Sequence, residues 1–287
     1  MPSELARRVL ASVILAPLAV IAAWFGDWAL AGLLSITGAL SAWEFYRIAR
    51  AGGVAPLDRL GVPMAAVLPL LVHAAYLRVF ALSLGAAAVA FLVIFSAAVW
   101  ARGPSGRPLS AVSATVTGVI YTGGLLSFAY ALRYHPYTFE RAAGTAVLGF
   151  PLLLTWTTDV GAYFVGRSIG RRKLIPSVSP GKSVEGAIGG LLLALLVAWA
   201  YERWVLVPYA HFRFMPGAVF LFAAVVSIAS MLGDLAESLI KREAGVKDAS
   251  SIIPGHGGIL DRVDSLLFAL PTAYWLLGIL RLVPVMA

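Results

Sequence analysis

Four side chains near the end of one apolar run carry the first sign of chemistry. Asp234, Glu237, Ser238 and Lys241 fall at i, i+3, i+4 and i+7, so they share one face of a helix. Ionisable groups inside an apolar helix are costly and mark a functional site by default. Snorkelling of charges to water explains Lys241 and Arg242. It does not explain Asp234, about two turns deeper in the run. Downstream lie Lys247 and Asp248, then Gly255-His256-Gly257-Gly258, a turn whose backbone N–H groups can approach an anion closely. Asp261 and Asp264 follow, three residues apart, with Arg262 between them. Hard carboxylate oxygens suit magnesium, which takes one or two of them and completes its shell with phosphate and water. Zinc is disfavoured, since the chain has no cysteine and His256 is the only histidine near these acids. His256 on its own reads as readily as a structural hydrogen-bonder.

A second segment adds Asp159, one helical turn before Tyr163, and then Ser179-Pro-Gly-Lys182-Ser-Val-Glu185. A phosphate-loop reading of Ser179–Ser183 fails: it needs glycine where Pro176 stands, and no strand is read before it. What survives is a basic loop, with Arg167, Arg171, Arg172, Lys173 and Lys182, suited to a polyanion. Eight of the fourteen acids fall in or beside residues 159–185 and 234–264. Carboxylates for a divalent ion, many cations and a glycine turn are the parts of a phosphoryl- or nucleotidyl-transfer site, where catalysis is positioning and charge neutralisation. A nucleophile elbow for acyl transfer is missing.

The elements that must position these groups are membrane helices. Of 287 residues, 60% are hydrophobic and 13% charged, against about 25% charged in soluble domains. Mean hydropathy is +0.88. The expectation is an all-α, polytopic integral membrane protein with about nine transmembrane helices, at 8–25, 28–46, 61–77, 79–100, 110–132, 144–166, 185–206, 216–240 and 266–284. The first run resembles a secretory signal, but a second apolar segment follows within a few residues, so it reads as a retained helix. With nine spans, sixteen of the 22 Lys and Arg fall on one side, which places the N-terminus and the charged loops in the cytoplasm. The net charge of +8 is then orientation bias, and no nucleic-acid partner is expected. Residues 1–140 read as an N-terminal set of four to five spans, and 141–287 as the catalytic region with cytoplasmic loops.

The run from Ser238 to Asp264 (Ser-x-x-Lys-Arg, four residues, Lys-Asp, then Pro-Gly-His-Gly-Gly-x-x-Asp-Arg-x-Asp) closely resembles the signature of phosphatidate cytidylyltransferases, or CDP-diacylglycerol synthases. The segment from Asp159 to Gly186 resembles that family's second recurrent block, with Val160 a minor departure, and Trp43-Glu44 has a weaker likeness. Upstream of about residue 140 the likeness is mainly hydropathy. The resemblance implies a magnesium-dependent reaction of CTP with phosphatidic acid at the inner membrane of the cell, with the active site facing the cytoplasm. It leans toward a homodimer and leaves a second, monovalent cation open. On this reading Asp234 and Asp261 are assigned to the metal, with Asp264 and Asp248 next to them. Lys241, Arg242, Lys247 and Arg262 neutralise phosphates, while Ser238 and the turn of His256, Gly257 and Gly258 orient phosphate oxygens. Asp159, Tyr163, Lys182 and Glu185 complete the substrate pocket. Three other readings compete: a CDP-alcohol phosphatidyltransferase, whose Asp-Gly-x-x-Ala-Arg element is missing; a CTP-dependent lipid kinase; and a transporter, which would place its charges near mid-membrane.

Overall fold

The computed structural model describes residues 17–138, 140–252, 257–280 and 282–285. The start of the first expected span and His256 lie outside the described residues. A helix over 17–25 (α1) is followed by α2 (Asp27–Ala51), α3 (Asp58–Tyr76), α4 (Leu84–Ala101), α5 (Pro108–Gly118), α6 (Phe128–Arg133), α7 (Arg141–Ile169), α8 (Val184–Tyr201), α9 (Ala218–Glu243) and α10 (Leu260–Ile279). Wide π-type turns extend α5 over Val119–Gly124 and α8 over Glu202–Ala210. Each expected span from the second onward overlies a helix. Among the described residues, five helical stretches are long and apolar enough to cross a bilayer: Asp58–Tyr76, Leu84–Ala101, Pro108–Arg133, Val184–Ala210 and Ala218–Glu243.

Four short strands were not foreseen. β1 (Lys173–Ile175) pairs antiparallel with β2 (Ser179–Ser183), and β3 (Phe212–Phe214) with β4 (Leu282–Pro284). A strand therefore does precede the Ser179–Ser183 stretch, contrary to the sequence reading. At three to five residues, these strands are too short to give a period that the sequence alone can show.

The fold divides into two compact units, residues 1–130 with 240–263 and residues 131–239 with 264–287. In the first, α2 and α3 pack through small residues. A side chain on Gly38 would meet the Ala65 carbonyl at 3.2 Å. Tyr46, fully buried, donates to the Thr115 carbonyl (2.8 Å), and the Thr115 hydroxyl accepts from the Leu57 amide (2.8 Å). Ser83 caps α4, its oxygen accepting from the Ala86 amide. Although α4 is apolar all round, only Ile94 and Ala98 are buried, so its other apolar faces need lipid.

In the second unit α7 and α8 meet along glycines. A Cβ on Gly186 would lie 2.7 Å from the Ala162 carbonyl, and one on Gly161 2.9 Å from the Gly190 Cα. Between membrane helices such close approach replaces a hydrophobic driving force with van der Waals contact. The Thr158 hydroxyl donates to Ser227 Oγ (3.0 Å), joining α7 to α9 with both groups buried. Phe150 stacks between Tyr201 and Phe222 at 5.0 Å each.

The α7–α8 seam generates a stability prediction. Gly186→Val forces a side chain into the Ala162 backbone and should lower the thermal midpoint in detergent by an amount matching about 1–3 kcal/mol of overpacking. Gly278→Ala, with nothing within 4 Å, should leave it unchanged or raise it. Equal midpoints for the two variants would show that the seam is not tight.

Candidate active site

The second unit holds a cavity of about 560 Å³ whose walls come from α7, the β1–β2 hairpin, the first turn of α8, and α9. Its charged lining is Asp159 and Arg167 from α7, Lys182 from β2 and Asp234 from α9. The Lys182 ammonium pairs with Asp234 Oδ2, each side chain about 30% exposed. One turn along α9, Ser238 Oγ donates to Asp234 Oδ1 at 3.3 Å. Asp159 feels both the negative charge of Asp234 and the positive charge of Lys182. Arg167 donates to the Tyr163 hydroxyl at 3.3 Å, and Tyr163 also lines the cavity.

The local sequence explains this placement. Ser183 caps α8, its Oγ accepting from the Gly186 amide at 3.1 Å, and Lys182 immediately precedes the cap. The first turn of α8 lines the cavity through Gly186 and Ala187, so a helix N-terminus with its partial positive charge opens beside Lys182. Glu185 turns away from the cavity. Its carboxylate accepts from the Arg171 and Arg172 amides (3.0 and 3.1 Å) and so holds the chain entering β1.

The first unit holds the other charged cluster. Asp261 Oδ1 accepts from Lys241 Nζ at 2.6 Å, each side chain only 11% exposed. Asp261 Oδ2 accepts from the Gly258 amide (2.8 Å) and the Ala249 amide (3.2 Å). The reach back to Gly258, three residues earlier, resembles the acidic half of a capping box at the start of α10. Gly257 has φ +81°, a left-handed conformation that glycine adopts freely, and a Cβ there would meet Asp261 Oδ2 at 3.0 Å. Arg242, Lys247, Asp248 and Arg262 are exposed. In the second unit, Asp264 Oδ1 accepts from its neighbour Ser265 N (2.6 Å), and its carbonyl would lie 2.6 Å from a Cβ on Gly233.

The sequence reading thus finds Asp159, Tyr163, Lys182 and Asp234 on one cavity, and Lys241 with Asp261 in one ion pair. It left Arg167 out of the pocket and Glu44 out of the signature cluster. Glu44 is completely buried and accepts from the Ser250 hydroxyl and from the Ile259 (3.0 Å) and Leu260 (2.6 Å) amides. The Trp43-Glu44 likeness was the one signal for it.

No three His, Asp or Glu side chains form a ready ion cage among the described residues. Magnesium does not need one. Asp159 and Asp234 line the same cavity, with room beside them for phosphate and water, and this fits a hard divalent ion held by one or two carboxylates.

The fold and cavity define a helical membrane protein whose polar chemistry is gathered around carboxylates, cations and a helix N-terminus. The chain belongs to the cytidylyltransferase family, whose sequence profile it matches over residues 6–280. It is 46% identical over 176 residues to the phosphatidate cytidylyltransferase of Haemophilus influenzae, covering 61% of this chain and 58% of that one. With that of Bacillus subtilis it shares 44% over 136 residues, 47% of this chain and 49% of the relative. With that of Synechocystis it shares 31% over 308 residues, 96% and 97% of the two chains. The chain thus spans about half the length of the first two relatives and nearly all of the third.

The Lys241–Asp261 pair can be tested apart from any reaction. Asp261→Asn removes the carboxylate charge from a pair that is about nine-tenths buried, a loss of about 3–5 kcal/mol for a broken buried pair. Its thermal midpoint in detergent should fall clearly below wild type, whereas exposed Asp248→Asn should not move it. A stable Asp261→Asn protein would remove the pair from the fold's supports.

Proposed function

We propose that the protein transfers the cytidylyl group of CTP to phosphatidic acid, forming CDP-diacylglycerol and pyrophosphate, at the cytoplasmic face of the inner membrane. The observation that supports this most directly is the cavity of the second unit: Asp159, Asp234, Lys182 and Arg167 converge there on the N-terminal turn of α8. A lipid phosphate oxygen attacks the α-phosphorus of CTP; the new P–O bond forms as the bond to the β-phosphate oxygen breaks, and pyrophosphate leaves. The attacking oxygen is already anionic, so neither a protein nucleophile nor a general base is needed. What the protein must supply is position and positive charge.

Lys182, Arg167 and the amides at the start of α8 provide that charge on one cavity wall. Asp234, with Asp159 beside it, is the carboxylate this cavity offers to magnesium. Magnesium, when bound, screens phosphate charge and orients the triphosphate. Asp261, the other carboxylate assigned to the metal, serves in this arrangement to order Lys241 and the amides of Ala249 and Gly258. On α7, Trp156, Val160, Tyr163 and Phe164 are exposed apolar side chains around Asp159, so acyl tails can stay in lipid while the headgroup reaches the cavity. The acids and cations gather in two clusters rather than along a relay, which favours group transfer over transport.

Purified protein with phosphatidic acid, magnesium and CTP labelled at the α- or γ-phosphate tests the reading. The α-label should enter lipid, the γ-label should leave in pyrophosphate, and chelator should stop both. A γ-label found in lipid would mean kinase chemistry and overturn the proposal. Lys182→Ala removes a cation from the cavity and the partner of Asp234, so kcat should fall on the order of 100-fold. Asp234→Asn, folded in detergent, should lose at least as much; near-wild-type turnover would take Asp234 out of the site.

A further inference from the structure

The described residues contain one fully buried carboxylate that the transfer chemistry does not use, yet that is bonded to the signature segment. Glu44 lies in α2, more than two hundred residues before its partners, with no exposed surface. A buried carboxylate is costly unless its lone pairs are satisfied. Here Oε1 accepts from Ser250 Oγ and the Ile259 amide, and Oε2 accepts from the Leu260 amide at 2.6 Å. Leu260 opens α10 and Ile259 immediately precedes it, where the first N–H groups have no helical partner and the helix dipole favours an anion. A Cβ on Gly258 would lie 2.7 Å from both Glu44 oxygens, so a glycine there is what lets the chain close onto the carboxylate.

The next links reach the ion pair. The Gly258 amide, held from one side by this fit, donates to Asp261 Oδ2, and Asp261 Oδ1 accepts from Lys241. Glu44 thus fixes residues 258–260 directly, and Asp261 and Lys241 through them. Glutamine is nearly the same size but offers one acceptor oxygen in place of two, and its NH2 would face an amide or hydroxyl donor.

We propose that Glu44 is a positioning residue for nucleotidyl transfer: its negative charge holds the start of α10 and, through Gly258, the Lys241–Asp261 pair. This rests on the function proposed above for its kinetic part alone. The test compares wild type, Glu44→Gln and the milder Ser250→Ala in detergent. Hydrogen exchange is followed at the 257–260 amides, and kcat and KM are measured for each substrate per mole of folded protein. Expected for Glu44→Gln is faster exchange at Ile259 and Leu260, with amides of α7 and α8 unchanged. Its kcat should fall on the order of 10–100-fold, as for other groups that orient a site's direct contacts. The KM values for CTP and lipid should stay within about twofold, the pattern of an interaction expressed in the transition state. Ser250→Ala, which keeps the carboxylate, should show both effects in the same direction and smaller. Wild-type exchange and wild-type kcat in Glu44→Gln would overturn the proposal, as would a loss of folded protein with kcat per folded molecule unchanged. If Glu44→Gln does not fold, Ser250→Ala decides by the same two readouts. Wild type making no CDP-diacylglycerol, with exchange still faster in Glu44→Gln, would instead count against the proposed reaction.

Discussion

A charge surrounded by apolar helices must be compensated where it stands, and this constraint arranges the polar side chains of the protein. Three sites meet it to different degrees. Glu44 is wholly buried, bonded to a hydroxyl and two amides at a helix start. Asp261 and Lys241 are about nine-tenths buried and compensate each other, with two further amides on the carboxylate. Lys182 and Asp234 pair as well, but about a third of each side chain remains exposed on a cavity. Water and ligands reach only the last of these easily. A salt bridge in such surroundings gains little from its own attraction and is readily exchanged for another partner. The same constraint therefore makes one carboxylate a fixed anchor and leaves another partly exposed on a cavity beside its lysine.

The cavity exists because two helices come closer than side chains normally allow. In lipid, apolar side chains gain nothing by leaving their surroundings, so α7 and α8 are held by contact between backbones at Gly161, Gly186 and Gly190. That approach brings the start of α8, with the positive end of its helix dipole, against the polar end of α7. The hairpin between the two helices is too short to be stable alone and depends on its attachments. Ser183 caps α8 at one end, and Glu185 reaches back to the Arg171 and Arg172 amides at the other. Lys182 sits between those fixings, which is why a lysine on a five-residue strand has a defined partner.

Much of this was legible in the sequence, and what was not has a physical cause. Helix positions follow from apolar length, which the bilayer imposes on each segment independently of the others. Asp234 stood out because it lies deeper in an apolar run than snorkelling explains, Asp159 because it falls inside an expected span, and Lys182 as one cation of a basic loop. The strands were invisible because three to five residues are too few to show a period. Glu44 was undervalued because a single acid near the end of a hydrophobic segment reads as an interfacial charge. Its meaning depends on Ser250, Ile259 and Leu260, and no local pattern in residues 28–46 encodes partners so far along the chain. The acids of the signature were recognised as a group, yet spacing could not say that Asp261 spends its oxygens on Lys241 and backbone amides.

The proposed reaction joins two anions beside lipid, where both reactants and the leaving group repel one another. A cavity lined by cations alone would bind them and hold the pyrophosphate as tightly as the triphosphate. Carboxylates among the cations change that balance. With Asp234 on Lys182, two of the four charges that line the cavity compensate each other. On the proposed reading, a phosphate entering the cavity would draw Lys182 from Asp234, and the released carboxylate would be open to a divalent ion. In that proposed reaction the Lys182–Asp234 pair would re-form as pyrophosphate departs and so limit how strongly the cavity retains it.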